Sequence, residues 1–216
     1  MPRILHTRGR ACTAAAGFSD HGVVTRLIPP VLYGSDLPIA VLSAARLDGL
    51  LWGVHEGYCA VDEPDRPELR ALALAPAVNE HDIVVGRTAA WVHGAGTAVI
   101  GALELRPRTR PPGAWRAGVR YREISVHASE VTRFGKSSPL VTTRSRTISD
   151  IAIDVHRTVH DIDLVLSLCD NDPDVVRACA NDLAAARRRP GKTGGLEFFA
   201  RVISAAERGQ QRPEAA

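Results

Sequence analysis

The chain has 216 residues, 45% hydrophobic and 24% charged, which are ordinary globular values with enough length for a substantial core. No apolar run is long enough for a membrane-spanning helix, and Met1–Arg10 lacks the apolar stretch of a secretory signal, so a cytoplasmic protein without membrane contact is expected. The net charge of +3 is unevenly placed: residues 1–64 hold five Arg against six acids, residues 65–140 eleven Lys and Arg against seven, and residues 141–216 eleven of each. Aromatics make up 5%, so Ala, Val, Leu and Ile must build most of the core. Cys12, Cys59, Cys169 and Cys179 show neither a CxxC pair nor zinc spacing, and read as thiols of a reducing compartment.

In chain order, residues 1–20 are basic and aperiodic, with room for a short helix at Ala11–Ala16. An apolar run, Val23 to Ile28, is ended by Pro29-Pro30, which remove two backbone donors. Ser35 or Asp36 can cap the next helix, with Pro38 in its first turn. Leu37, Val41, Leu42 and Ala45 fall on one stripe of that helix, and Gly49 weakens its end. Leu50–Val54, His55-Glu56-Gly57 and Tyr58–Val61 then read as strand, turn and strand. Helix followed by hairpin is the order found in the second half of a winged helix. The acid- and proline-rich Asp62–Pro67 is the expected domain boundary. Beyond it, Glu68–Leu74 and Arg87–His93 are expected as helices, the latter stopped by Gly94. Ile83–Val85, Ala98–Leu105, Val119–Val126 and Leu140–Thr142 are expected as short strands, with an Arg/Pro loop from Arg106 to Arg116. Four helices follow, over Arg146–His156, Asp161–Cys169, Pro173–Arg189 and Gly194–Glu207. The predicted class is α+β: a degenerate winged-helix head (18–63), a mixed domain with a small sheet and a C-terminal helical bundle (68–207), and a disordered tail (208–216).

Several residues are candidates for function. Arg46 is the basic side chain on the helix before the hairpin, close to Ser43. In a winged helix that element enters the major groove, where Arg can make a bidentate contact to guanine. Otherwise Arg46 is a solvated arginine paired with Asp36 or Asp48. Arg106, Arg108 and Arg110 alternate, aligning three guanidinia on one side of an extended segment, and Arg116, Arg120 and Arg122 continue the run. Such an array suits nucleic-acid or nucleotide phosphates, or keeps a loop soluble. Trp115 beside it can stack on a base or anchor the loop. Thr88 and Trp91 fit structural roles, as a helix cap and as a plug between sheet and helices; further on, Thr147 can cap or back-bond, and Asp150 can pair with Arg146 at i,i+4. His156 and His160 stand four apart but lack the frame of a metal site, and Pro190-Gly191-Lys192-Thr193 lacks the first glycine and the preceding strand of a phosphate-binding loop. No catalytic constellation, metal site or cofactor is expected.

Val84 to Gly94, containing Arg87-Thr88-Ala89-Ala90-Trp91-Val92-His93-Gly94, resembles one block of the AbiEi-type antitoxins. Thr142 to Ala152, containing Arg146-Thr147-Ile148-Ser149-Asp150, resembles a second, in the same order and at similar spacing. Leu37-Pro38 through Gly49 resembles the head helix of actinobacterial relatives, so the likeness spans roughly residues 20 to 206. It implies a DNA-binding regulator that recognises promoter DNA and counteracts a nucleotidyltransferase toxin. The two blocks would lie in the domain needed for neutralisation, which makes Arg87, Arg144 and Arg146 candidates for a partner-facing surface. Some relatives continue into a nuclease-like domain after the last helix; none is expected here, and no nuclease activity with it.

Overall fold

Two neighbouring strands that each run straight into a helix organise this chain. The computed structural model describes residues 28–96, 98–99, 101–107 and 116–210. Strand β3 (Ile83–Val84), following the hairpin strands β1 (Leu51–Val54) and β2 (Gly57–Ala60), leads into one helix at Gly86, and β7 (Leu140–Thr142) leads into another at Arg144. The two strands pair in parallel, Ile83 opposite Leu140 and Val84 opposite Val141. Outside them, β4 (Leu103–Arg106) is antiparallel to β3, β5 (Val119–Tyr121) is parallel to β4, and β6 (Val131–Arg133) is antiparallel to β7. The mixed sheet therefore runs β5-β4-β3-β7-β6. The protein is α+β, as expected, but β5 stops at Tyr121 rather than Val126, and β6 is a strand that no sequence pattern announced.

The head begins with α1 (Ile39–Leu47), behind Pro38. No side chain caps it; Asp36 instead accepts a hydrogen bond from the Tyr33 N–H at 2.8 Å. Gly49, at φ +74°, ends the helix, with Leu50 N–H bonding Ala45 O and Gly49 N–H bonding Arg46 O. That pairing is a Schellman closure. Of the apolar stripe, Leu42 is fully buried, whereas Leu37 and Val41 are 41% and 50% exposed; Ile39 and Leu47, off the stripe, are 59% and 88% exposed. Among the described residues, α1 packs mainly on β1 (Leu51–Val54), which is why so little of it is covered. Strand β2 (Gly57–Ala60) completes the hairpin with β1, and His55 takes a φ of +51° at the turn. Residues that would precede α1 in a helix-turn-helix, including the expected Ala11–Ala16 helix and the Val23–Leu27 part of the apolar run, lie outside the described residues.

No gap in packing falls at 62–67. Val54 and Cys59 of the hairpin share one apolar core with Leu69, Val84, Trp91, Leu105 and Val141. Asp65 also accepts a 2.7 Å bond from Arg70 Nε, on α2 (Pro67–Ala73). The same guanidinium donates to Trp91 O and Gly96 O at 2.7 and 3.0 Å, closing the end of α3 (Gly86–Val92).

A second core lies beneath α4 (Arg144–Ile153), α5 (His160–Leu168), α6 (Pro173–Ala185) and α7 (Lys192–Gln210). It is built from Ile148, Ile151, Val165, Leu168, Leu183, Phe198, Phe199 and Val202. A Cβ on Gly195 would sit 2.8 Å from Leu183 Cδ2 and 3.1 Å from Ile153 Cγ2, so glycine lets α7 cross α4 and α6 at close range. Helix α6 ends at Ala185, four residues before the expected Arg189, because Lys192 Nζ bonds the Ala184 and Ala186 carbonyls at its C-terminal end. Helix α7 runs on through Gln210, past the expected start of the tail at Arg208.

Candidate functional site

The two strand-to-helix steps carry most of the buried charge. At the first, Gly86 takes φ +56°, and a Cβ there would lie 1.8 Å from Glu104 Oε2. That carboxylate accepts the Arg87 backbone N–H at 2.8 Å, at the start of α3, while Thr88 Oγ1 accepts the Glu104 N–H at 2.8 Å. The Arg87 guanidinium then turns inward. Nε and Nη2 hold both oxygens of Asp161 at 2.8 Å, and Nη1 reaches Asp154 Oδ2 at 2.9 Å and Glu104 Oε1 at 3.2 Å. Arg122 Nη1 donates to the same Asp154 oxygen at 2.9 Å, and Arg120 and Arg122 each reach Glu104 Oε1 at 3.4 Å. Three guanidinia thus meet three carboxylates, and the cluster clamps the sheet to α3, α4 and α5.

The clamp has a definite ionisation. Burial alone would raise the Asp154 carboxyl, but the His156 backbone N–H and the Arg122 guanidinium outweigh it and hold it down to about 2. Burial also opposes the charge on Arg87, yet the bonds from Asp161, Asp154 and Glu104 prevail and raise its pKa. Arg87, expected on a partner-facing surface, is therefore a half-buried structural cation whose donors are turned inward. Arg122, expected to meet phosphate, has a side chain only 15% exposed and already neutralised; Arg120 keeps 40% exposure beside Glu104.

At the second step, Thr143 rather than Thr147 caps the helix, accepting the Arg146 N–H at 3.4 Å. Thr147 Oγ1 instead lies 2.8 Å from Thr142 Oγ1. Arg146 Nε pairs with Asp150 at 2.8 Å, the expected i,i+4 contact, and its other nitrogens bond Glu130 and Ser125 O. Arg189 reaches the same Asp150 oxygen at 3.1 Å. Burial pushes the Asp150 carboxyl up despite these arginines. With 8% exposure and every donor group engaged, Arg146 is also a correction to the partner-surface expectation. Arg144 does lie on the surface, paired with the exposed Asp170 at 2.8 Å. His93 ties the two steps together: its Nε2 lies 2.7 Å from Thr142 O. Burial lowers the His93 pKa, the main influence upon it, so the ring is neutral at pH 7 and donates to that carbonyl.

In the head, Arg46 is exposed and Ser43 half-buried. Among the described residues Arg46 forms no ion pair, with Asp36, Asp48 or any other acid. Its guanidinium carbon lies 3.9 Å from where a Cβ on Gly53 would be. There it lines a cleft of about 360 Å³ with Trp52, His55, Arg70 and Trp91. Of the expected arginine run, Arg106 Nε donates to Ile124 O at 3.3 Å and the exposed Arg116 donates to Ala77 O at 3.0 Å. Arg108, Arg110 and Trp115 lie outside the described residues. Among the described residues no three His, Cys, Asp or Glu side chains are grouped to hold a metal ion, and no helix is long and apolar enough to cross a membrane.

No known protein family matches the chain, and no curated protein matches it. What sequence reasoning missed, Asp150 apart, is the carboxylates of the two clusters. One signal was available for Glu104, an acid between Leu103 and Leu105 in an otherwise apolar strand. None marked Asp154, Asp161 or Glu130, because their partners lie on other elements.

Proposed function

We propose that the chain is a non-enzymatic, AbiEi-like antitoxin and transcriptional autoregulator acting in the cytoplasm. Its α1–hairpin head, a degenerate winged helix, binds promoter DNA, and its sheet–bundle body counteracts a nucleotidyltransferase toxin. One observation carries this reading: the two blocks that resemble the antitoxins, some fifty residues apart, form one spatial unit. Their strands pair in parallel, their helices α3 and α4 pack together, and His93 of the first block bonds Thr142 of the second. A chance likeness of two short motifs gives no reason for them to meet. In the head, Arg46 is an exposed cation that no acid among the described residues neutralises, which suits a base reader.

Arg46→Ala and a triple Arg106, Arg108, Arg110→Ala variant test this reading by gel shift on the chain's own upstream DNA. The first is expected to weaken specific binding by about 1–3 kcal/mol and the second to weaken all duplexes alike. Unchanged binding in both variants rules out this form of DNA recognition. The engaged state of Arg122, a phosphate candidate already held by Glu104 and Asp154, favours a second reading, a protein-interaction module that does not bind DNA. The exposed apolar side chains of α1 favour it too. Under that reading, promoter DNA is not bound, yet the chain still relieves toxicity when expressed beside a neighbouring nucleotidyltransferase.

A further inference from the structure

The turn between α6 and α7 forms one wall of a cleft of about 540 Å³. The segment from Glu123 to Glu130 forms the other, and Arg146 and Ile153 lie between them. Four arginines line it: Arg146, Arg187, Arg188 and Arg189. Two of these are compensated by the protein, since Arg146 and Arg189 hold Asp150 and Arg146 also holds Glu130. Arg187 and Arg188 are exposed and form no hydrogen bond or ion pair among the described residues. Set against Glu123, Glu130 and Asp150, the four arginines leave one positive charge over. Arg188 also takes φ +50°, a backbone conformation rare for a side chain of its kind. Local strain of this sort concentrates where a protein holds a ligand. Ile124, Ile153 and Pro190 add an apolar surface beside the charges.

We propose that this cleft is a binding site for a small phosphomonoester. The Arg187 and Arg188 forks would hold the dianionic phosphate, and Ile124, Ile153 and Pro190 would cover its organic body. Guanidinium donors match phosphate oxygens in pairs and remain charged at every physiological pH. A cleft of this size falls in the range of small-molecule sites, which combine apolar lining with a few placed polar groups. The buried Arg146, held by Glu130, Asp150 and Ser125 O, gives the cleft a fixed floor, while the uncompensated charge comes from Arg187 and Arg188. The site lies on the body, away from Arg46 and the hairpin, so it does not depend on DNA recognition by the head.

The test is calorimetric and NMR titration of the full chain with phenyl phosphate, inorganic phosphate and benzyl alcohol as probes. Phenyl phosphate is expected to bind one to one and to shift the amides of residues 123–130 and 186–190. Inorganic phosphate should bind at least about tenfold more weakly, and benzyl alcohol should give no saturation. Arg187→Ala/Arg188→Ala should weaken phenyl phosphate by about tenfold or more without moving the unfolding midpoint, because both side chains are exposed. Arg188→Gly, which relaxes the backbone, should fold at least as well and also weaken binding. Arg208→Ala, at the far end of α7, should change nothing. No saturable binding of phenyl phosphate up to about 5 mM overturns the proposal, as does binding that survives the double change. It is equally overturned if phenyl phosphate is silent while duplex binding falls in the double variant, since the arginines would then serve nucleic acid instead.

Discussion

Replacing Arg87 with methionine removes the cation that, among the described residues, alone touches all three carboxylates of the inner clamp. Glu104, Asp154 and Asp161 would remain, with side chains 5%, 2% and 1% exposed; Glu104 and Asp154 would keep Arg120 and Arg122, while Asp161 would keep the Thr158 N–H and hydroxyl but no cation among the described residues. Removing one partner of a buried pair costs about 3–5 kcal/mol, because the remaining charge is left desolvated. Arg87 is itself 24% exposed, so the lower end of that range is expected. The sign with pH follows from Asp154, whose folded pKa lies below its unfolded one. Its contribution, about 2 kcal/mol, is present above the unfolded value near 4 and is lost as pH falls from about 4 to about 2. Urea titrations of the parent and Arg87→Met at several pH values measure both effects. The variant should lose about 3 kcal/mol at pH 7, and the gap should narrow below about pH 4 as the unpaired carboxyls take up protons. Adding Asp161→Asn should recover part of the loss through a coupling of about 1 kcal/mol or more. A loss under about 1 kcal/mol at pH 7, or a gap constant with pH, refutes the clamp.

Three further outcomes are expected. Gly86→Ala combines a left-handed φ with a methyl 1.8 Å from Glu104 Oε2; it should cost at least about 2 kcal/mol by thermal unfolding, and no loss would show that Glu104 moves freely. Phe198→Ala, fully buried in the bundle, should cost about 3–5 kcal/mol in urea. His93 and His55 are both held below their usual pKa by burial, so stability should fall as pH drops through about 6.5. His93→Gln should flatten part of that slope, as read by denaturation between about pH 7 and 5.

The entries into α3 and α4 were legible because a short apolar run followed by Thr and a helical stretch is a local signal. Of the two roles open to Thr147, it takes the back-bond, to Thr142 O, and Thr143 supplies the cap one turn earlier. The i,i+4 bond of Arg146 to Asp150 was legible for the same reason. Strand β6 was not, since Val131-Thr132-Arg133 is too short to show alternation and is defined by its partner β7. The run of arginines after Ala185 favours helix locally, but Lys192 closes α6 and Arg188 leaves helical space. The spacing of the arginines in the sheet segment could be read directly, whereas their neutralisation could not: Glu104 meets Arg120 and Arg122 across a sheet, sixteen or more residues away. Positive charge counted along a chain therefore overstates what remains for phosphate. Arg46, Arg187 and Arg188 stand out only after the paired arginines have been set aside.

Fluorescence anisotropy of labelled DNA from the chain's own upstream region, with a scrambled duplex at low and physiological salt, tests the central claim most directly. The account predicts sequence-selective binding whose affinity falls with salt at a slope of about −0.9 per phosphate contact. Equal affinity for both duplexes, or none for either, contradicts it.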